Sequence, residues 1–207
     1  MKKIILSCSI LLLGISAFSQ HIAVNAFGGY TFRDKMNFGN AYAYLNGGGM
    51  WGASVEGINA RGSGIEVLYQ YQSTKIPVYG TPGNTQLNAG NDGAVVSYLL
   101  LNLEQYYINN PKIQPYIAAG LGAAFYKGDY AGSTSETKFA WDLKAGVKLN
   151  AGSGLGIKIG AQLLTSPQAT GNAFFLGYPG VVYQYTTYAT ILQFGFTGGL
   201  VYSFGGK

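Results

Sequence analysis

Apolar and polar positions alternate with a period of two along most of the chain. The stretch Ile191–Phe204 shows it best: Leu192, Phe194, Phe196, Leu200, Tyr202 and Phe204 share one face. Gln193, Gly195, Thr197, Gly199 and Ser203 share the other, with Val201 as its one apolar member. Successive side chains of a strand point to opposite sides of the sheet, so this period predicts β-structure. Seven earlier runs repeat the pattern. Ile22, Val24, Ala26, Tyr30 and Phe32 alternate with Ala23, Asn25, Gly29 and Thr31; Trp51, Ala53 and Val55 oppose Ser54 and Glu56. Ile65, Val67, Tyr69 and Tyr71 oppose Glu66, Gln70 and Gln72, and Val95, Leu99, Leu101 and Leu103 oppose Asn102 and Glu104. Ile117, Leu121 and Phe125 oppose Gln114, Tyr116, Gly120 and Gly122. Phe139, Trp141, Leu143, Val147 and Leu149 oppose Lys138, Asp142, Lys144 and Lys148. Leu155, Ile157, Ile159 and Leu163 oppose Lys158 and Gln162.

Each of these eight runs has about the ten residues that a tilted strand needs to cross a bilayer. The connectors alternate long and short. Gly/Asn/Tyr-rich and Pro-containing stretches reach to Gly49 and to Asp92, a polar loop runs from Lys127 to Thr137, and a last loop runs from Ser166 to Thr187. Between them lie the short turns at Asn59–Ser63, Asn109–Lys112 and Asn150–Gly154. That rhythm is the outer-membrane pattern of short periplasmic turns and longer external loops, with both termini periplasmic. The predicted fold is all-β: an eight-stranded antiparallel up-and-down transmembrane barrel over residues 20–207.

Composition favours a membrane over water. Only 10% of residues are charged, against about 25–35% for a soluble surface, and mean hydropathy is +0.14. A lipocalin-like soluble barrel would turn its second face to water. Here that face is mostly glycine, alanine and glutamine, a poor aqueous surface. Aromatics gather near strand ends, with Tyr30, Phe32, Trp51, Tyr69, Tyr71, Phe139 and Trp141 on the long-loop side and Tyr107, Tyr202 and Phe204 on the other. Two girdles of that kind suit a bilayer's two interfaces.

Residues 1–19 read as a signal peptide: Lys2 and Lys3, an apolar run Ile4–Ile15, then Ala17-Phe18-Ser19 before Gln20. The apolar run is short for a membrane-spanning helix. Cys8, the only cysteine, falls inside this leader, so the mature chain is expected to carry no disulfide. The formal net charge of +5 becomes +3 without Lys2 and Lys3, too small and dispersed for a nucleic-acid footprint.

Thr197, Gly199, Tyr202 and Phe204 resemble the C-terminal insertion signal of bacterial outer-membrane barrels, although Gly205, Gly206 and Lys207 trail the last aromatic. Gln114-Pro115-Tyr116-Ile117-Ala118-Ala119-Gly120-Leu121-Gly122 is similar to the fifth-strand pattern of the small eight-stranded barrel family that includes the OmpA barrel. The resemblance implies outer-membrane lipid as surroundings, and periplasmic chaperones and the barrel-assembly machinery as partners during biogenesis. The leader's end and the Asn/Gly/Tyr content resemble Bacteroidota exports.

Three function classes are weighed on this chain. For a pathway, Glu56, Glu66, Glu104, Asp142, Lys144, Lys148 and Lys158 fall on the inward face, where lipid cannot solvate charge and they must pair. Eight strands leave an interior just wide enough for side chains, so a structural salt-bridge plug is favoured over a narrow channel or carrier. For an enzyme, barrel hydrolases resemble one another in using a histidine with a serine or an acid. The only histidine, His21, sits at the mature N-terminus, so no catalytic, cofactor or metal residues are expected and the chain reads as a non-enzyme. For an accessory subunit, the last loop carries Phe174, Phe175, Leu176, Tyr178, Tyr183 and Tyr185 without a charge between Ser166 and Thr190. Such a surface suits docking to another outer-membrane or surface protein, with Met36–Gly49 as a second candidate. The expectation is a structural or accessory role.

Overall fold

The computed structural model describes residues 21–37, 41–80, 83–87, 92–129, 135–168 and 189–204. Eleven strands follow one another: β1 His21–Thr31, β2 Asp34–Asn37, β3 Ala41–Leu45, β4 Gly48–Ile58, β5 Ser63–Lys75, β6 Val78–Gly80, β7 Gly93–Tyr106, β8 Ile113–Gly128, β9 Ser135–Gly152, β10 Leu155–Gln168 and β11 Ala189–Phe204. Eight of them close into an antiparallel barrel in the order β1-β11-β10-β9-β8-β7-β5-β4. β11 closes the ring on β1, with Ile22 opposite Phe204 and Thr31 opposite Gly195. Closure leaves no unpaired strand edge in the barrel, the condition for a sheet to stand in lipid.

Alternation decides the two faces. Leu103, Leu121 and Leu200 are 66%, 61% and 65% exposed, while Glu56, Gln70 and Asn102 on the other parity are fully buried. The barrel is therefore apolar outside and polar within, the reverse of a soluble protein. The outward aromatics meet in pairs: Trp51 lies 5.3 Å from Tyr71, and Phe32 stacks on Phe194 at 5.9 Å. Tyr202 and Phe204 pack edge to face at 4.7 Å near the opposite rim.

The first two long connectors are not simple loops. They contribute β2, β3 and β6, which form a separate three-stranded sheet over the long-loop end of the barrel. Ala41-Tyr42-Ala43-Tyr44-Leu45 itself alternates, so β3 has the same cause as the barrel strands: Ala41, Ala43 and Leu45 are buried and the tyrosines face away. Met36 on β2 and Ile76, just before β6, join Ala43 and Leu45 in the buried cluster of Leu68, Val96, Tyr98, Leu100, Tyr126, Leu164 and Ile191. That cluster fills the upper lumen. The strands are also longer than the bilayer requires, with 18 residues in β9 and 16 in β8, so several rise above it.

Residues 1–19, expected to be a signal peptide, and the candidate docking residues Phe174, Phe175, Leu176, Tyr178, Tyr183 and Tyr185 lie outside the described residues. In β11, Thr197 and Gly199 take the inward parity and Tyr202 and Phe204 the outward one.

Candidate functional site

The register places like charges side by side on two walls. Glu56 on β4 is directly opposite Glu66 on β5, and Lys148 on β9 is directly opposite Lys158 on β10. Each such neighbour pair is destabilising within its own sheet. The two walls face each other across the lumen, and the repulsion along each becomes attraction between them. Lys158 Nζ lies 2.9 Å from Glu56 Oε2, 2.9 Å from Glu104 Oε1 and 3.6 Å from Glu66 Oε1. Lys148 Nζ lies 3.6 Å from Glu56 Oε1. Lys144 donates to Glu66 and stands 3.7 Å from Glu104. Three ammonium groups thus meet three carboxylates.

Neutral donors complete the cluster. Ser54 Oγ donates to Glu66 Oε1 at 2.7 Å and Asn102 Nδ2 to Glu66 Oε2 at 2.8 Å. The Tyr106 hydroxyl donates to Glu56 Oε2 at 2.8 Å and lies 3.2 Å from Glu104 Oε2. Lys158 also lies over the Tyr116 ring, 4.6 Å from its centroid. Bare backbone makes room for that ring, since a Cβ at Gly160 would meet the Tyr116 hydroxyl and one at Gly146 its Cε1. Phe27 is cradled in the same way by Gly52 and Gly199.

One expected partnership differs. Asp142 is buried on the inward face, but its Oδ2 accepts from Asn102 Nδ2 at 3.4 Å and, among the described residues, no lysine forms a salt bridge with it. The register explains this: Asp142 stands opposite Gly120, across from Asn102, two positions nearer the long-loop end than Lys144. Asn102 therefore bridges Asp142 to Glu66. The sequence places Ser54, Asn102 and Tyr116 on the inward face without assigning them to the charge network, and Tyr106, which shares the inward parity, goes unplaced there.

The carboxylates of Glu56, Glu66 and Glu104 offer oxygens within 4.8 Å of one another, a spacing that would suit a cation. The Lys158 ammonium already stands among them, within salt-bridge distance of all three. Beside the cluster, a cavity of about 30 Å³ lined by Asn25, Ser54, Glu66, Tyr116, Lys144 and Lys158 has room for roughly one water. Above it, Gln162 Nε2 donates to Gln70 Oε1 at 3.1 Å. The apolar cluster then fills the rest. A charged layer and an apolar layer thus lie one above the other inside the barrel.

An apolar-walled, eight-stranded barrel with its charges locked inside defines a class, the small outer-membrane β-barrel proteins. Neisserial surface protein A has this fold, with a TM-score of 0.59 at 11% identity over 89% of this chain and 97% of its own. The outer membrane protein OprG from Pseudomonas aeruginosa has it too, with a TM-score of 0.61 at 10% identity over 91% of this chain and 98% of its own. These likenesses lend the Bacteroidota resemblance no support. No curated protein matches the chain. The profile of the family "Lipid A 3-O-deacylase (PagL)" matches residues 57–164, more than half of the chain, from the end of β4 through most of β10. The chain belongs to the PagL family.

That membership corrects the expectation of a non-enzyme, because the family is one of lipid A deacylases. The expectation rested on the one histidine. His21 opens β1 opposite Ile58 at the short-turn end.

Proposed function

We propose that this barrel acts on lipid A from its outer wall, removing an ester-linked acyl chain at the long-loop end. The family match over residues 57–164 carries this reading. The closed lumen supports it: a path blocked by the Lys158 cluster and by the Tyr98–Tyr126 layer leaves the outer wall and the loops as the working surface. Hydrolysis adds water across the ester, releasing a fatty acid and returning the sugar hydroxyl. The long loops then face the exterior, and both termini and the three short turns face the periplasm.

The test is incubation of the purified barrel with lipid A in vesicles, followed by mass measurement of the lipid. Loss of one hydroxyacyl chain, with the free acid recovered, is the expected result. Unchanged lipid A with folded barrel overturns it.

A second reading is a structural or accessory role, with the external loops docking another outer-membrane or surface protein. The β2–β3–β6 sheet over the long-loop end, an ordered surface outside the barrel wall, favours it. Affinity purification in mild detergent, with stoichiometry read by native mass, separates the two. A stoichiometric partner together with unchanged lipid A selects the accessory role.

A further inference from the structure

The small sheet has two unlike faces. Met36, Ala41, Ala43 and Leu45 point down into the barrel mouth and are buried. Asp34 also belongs to that side, where its Oδ2 accepts from the Leu192 amide at 2.8 Å and ties the sheet to β11. The other face carries Arg33, Lys35, Tyr42, Tyr44 and Tyr79. Strand pairing brings them together, since Lys35 is opposite Tyr44 and Tyr42 is opposite Tyr79.

The rings lock one another. Tyr42 stacks on Tyr79 at 5.2 Å, and Tyr44 meets both edge-on at 5.5 and 6.1 Å. Arg33 Cζ lies 4.4 Å from the Tyr44 centroid, and Lys35 Nζ lies 4.4 Å from the Tyr42 centroid. Both cations are exposed. Cation–π contact holds them in place without neutralising their charge. The Tyr42 hydroxyl donates to Asn84 Oδ1 at 2.9 Å, which fixes an amide beside the rings. Among the described residues this face carries no carboxylate.

We propose that the outward face of the β2–β3–β6 sheet binds the phosphorylated sugars of lipopolysaccharide. Two fixed cations suit a phosphate, and the guanidinium of Arg33 can take two phosphate oxygens at once. Phenol hydroxyls and the Asn84 amide suit the sugar hydroxyls around it. Rings that pack against one another lose little freedom on binding, so the face is preorganised. Charge complementarity selects an anionic sugar over a neutral one. The sheet's place at the long-loop end selects the sugars displayed on the same membrane. This deepens the reading above and rests on it for the side of the membrane that the long loops face.

The test uses the full chain in phosphatidylcholine nanodiscs. The probe is a fully deacylated, phosphorylated lipopolysaccharide oligosaccharide, compared with the same oligosaccharide after phosphatase treatment. Saturable binding is expected, at least tenfold weaker for the dephosphorylated probe. An Arg33→Gln, Lys35→Gln double variant should lose tenfold or more for the phosphorylated probe and stay unchanged for the other. Tyr79→Ser should weaken both. Because the probe has no acyl chain to cleave, its binding is read independently of deacylation. The double variant changes only exposed side chains, so it keeps its fold, checked by heat-modifiable gel migration. Equal binding by wild type and double variant overturns the proposal. So does displacement of the probe by an equal concentration of inorganic phosphate, which would mark a phosphate site indifferent to sugar.

Discussion

Lys158 on β10 and Glu56 on β4 stand 102 positions apart in the sequence, and Nζ of one lies 2.9 Å from Oε2 of the other across the lumen. This contact joins a wall of acids on β4, β5 and β7 to a wall of lysines on β9 and β10. It is the reason like charges can be cross-strand neighbours on both.

Replacing Lys158 by Met should be strongly destabilising, because it leaves Glu56, Glu66 and Glu104 crowded with one fewer cation. Breaking a buried pair from one side costs about 3–5 kcal/mol. Urea unfolding of the barrel in phospholipid vesicles should show a loss of that size, and Glu56→Gln added to Lys158→Met should recover part of it. Full additivity of the two single losses would show that the residues do not interact.

Glycines separate into two kinds. A Cβ at Gly120 would collide with Asn102 Oδ1 and Asp142 Oδ1, whereas one at Gly198 on the outer face meets nothing within 4 Å. Gly120→Ala should therefore lower the unfolding midpoint or block assembly, and Gly198→Ala should leave it within experimental error. Heat-modifiable gel migration reads both.

The outer face should reject charge according to depth. Leu101, near the middle of β7 and 49% exposed, should lose about 2–4 kcal/mol on replacement by Arg. The same replacement at Tyr107, beyond the end of β7, should cost about 0–1 kcal/mol. Equal losses in vesicle unfolding would mean that Leu101 does not stand at mid-bilayer.

The barrel was legible because one signal repeats. In β11, Phe194 and Phe196 against Gln193 and Gly195 already assign inside and outside, and the same parity places Glu66 and Lys158 in the lumen. Which acid meets which lysine was not legible. That depends on strand register and tilt, which bring β4 and β10 face to face although no local pattern links them. Asp142 shows the difference: its parity is right, and its partner is Asn102 rather than a lysine. The small sheet was missed for another reason. Tyr42 and Tyr44 alternate with Ala41, Ala43 and Leu45, but the run is only five residues long and sits among glycines and asparagines that read as loop. PagL membership was not legible either: it is carried by a match spread over residues 57–164, and the single histidine speaks for one position only.

Two closures in series imply a particular response to mutation. Replacing Tyr98 and Tyr126 by Ala opens the upper, apolar layer and leaves the charged cluster intact, so the barrel should stay closed. Removing Lys144, Lys148 and Lys158 together with their acids, in that same background, should be needed before ions pass. Current from the Tyr98→Ala, Tyr126→Ala variant alone would show that the charged layer does not seal.

The central claim is that the lumen is shut and the barrel works from outside. Single-channel recording of the folded wild-type protein in a planar bilayer tests it most directly. No reproducible conductance step, at any voltage the bilayer withstands, is the predicted result. A stable unitary current from the wild-type protein would contradict it, and would make the Lys158 cluster the wall of a selective path.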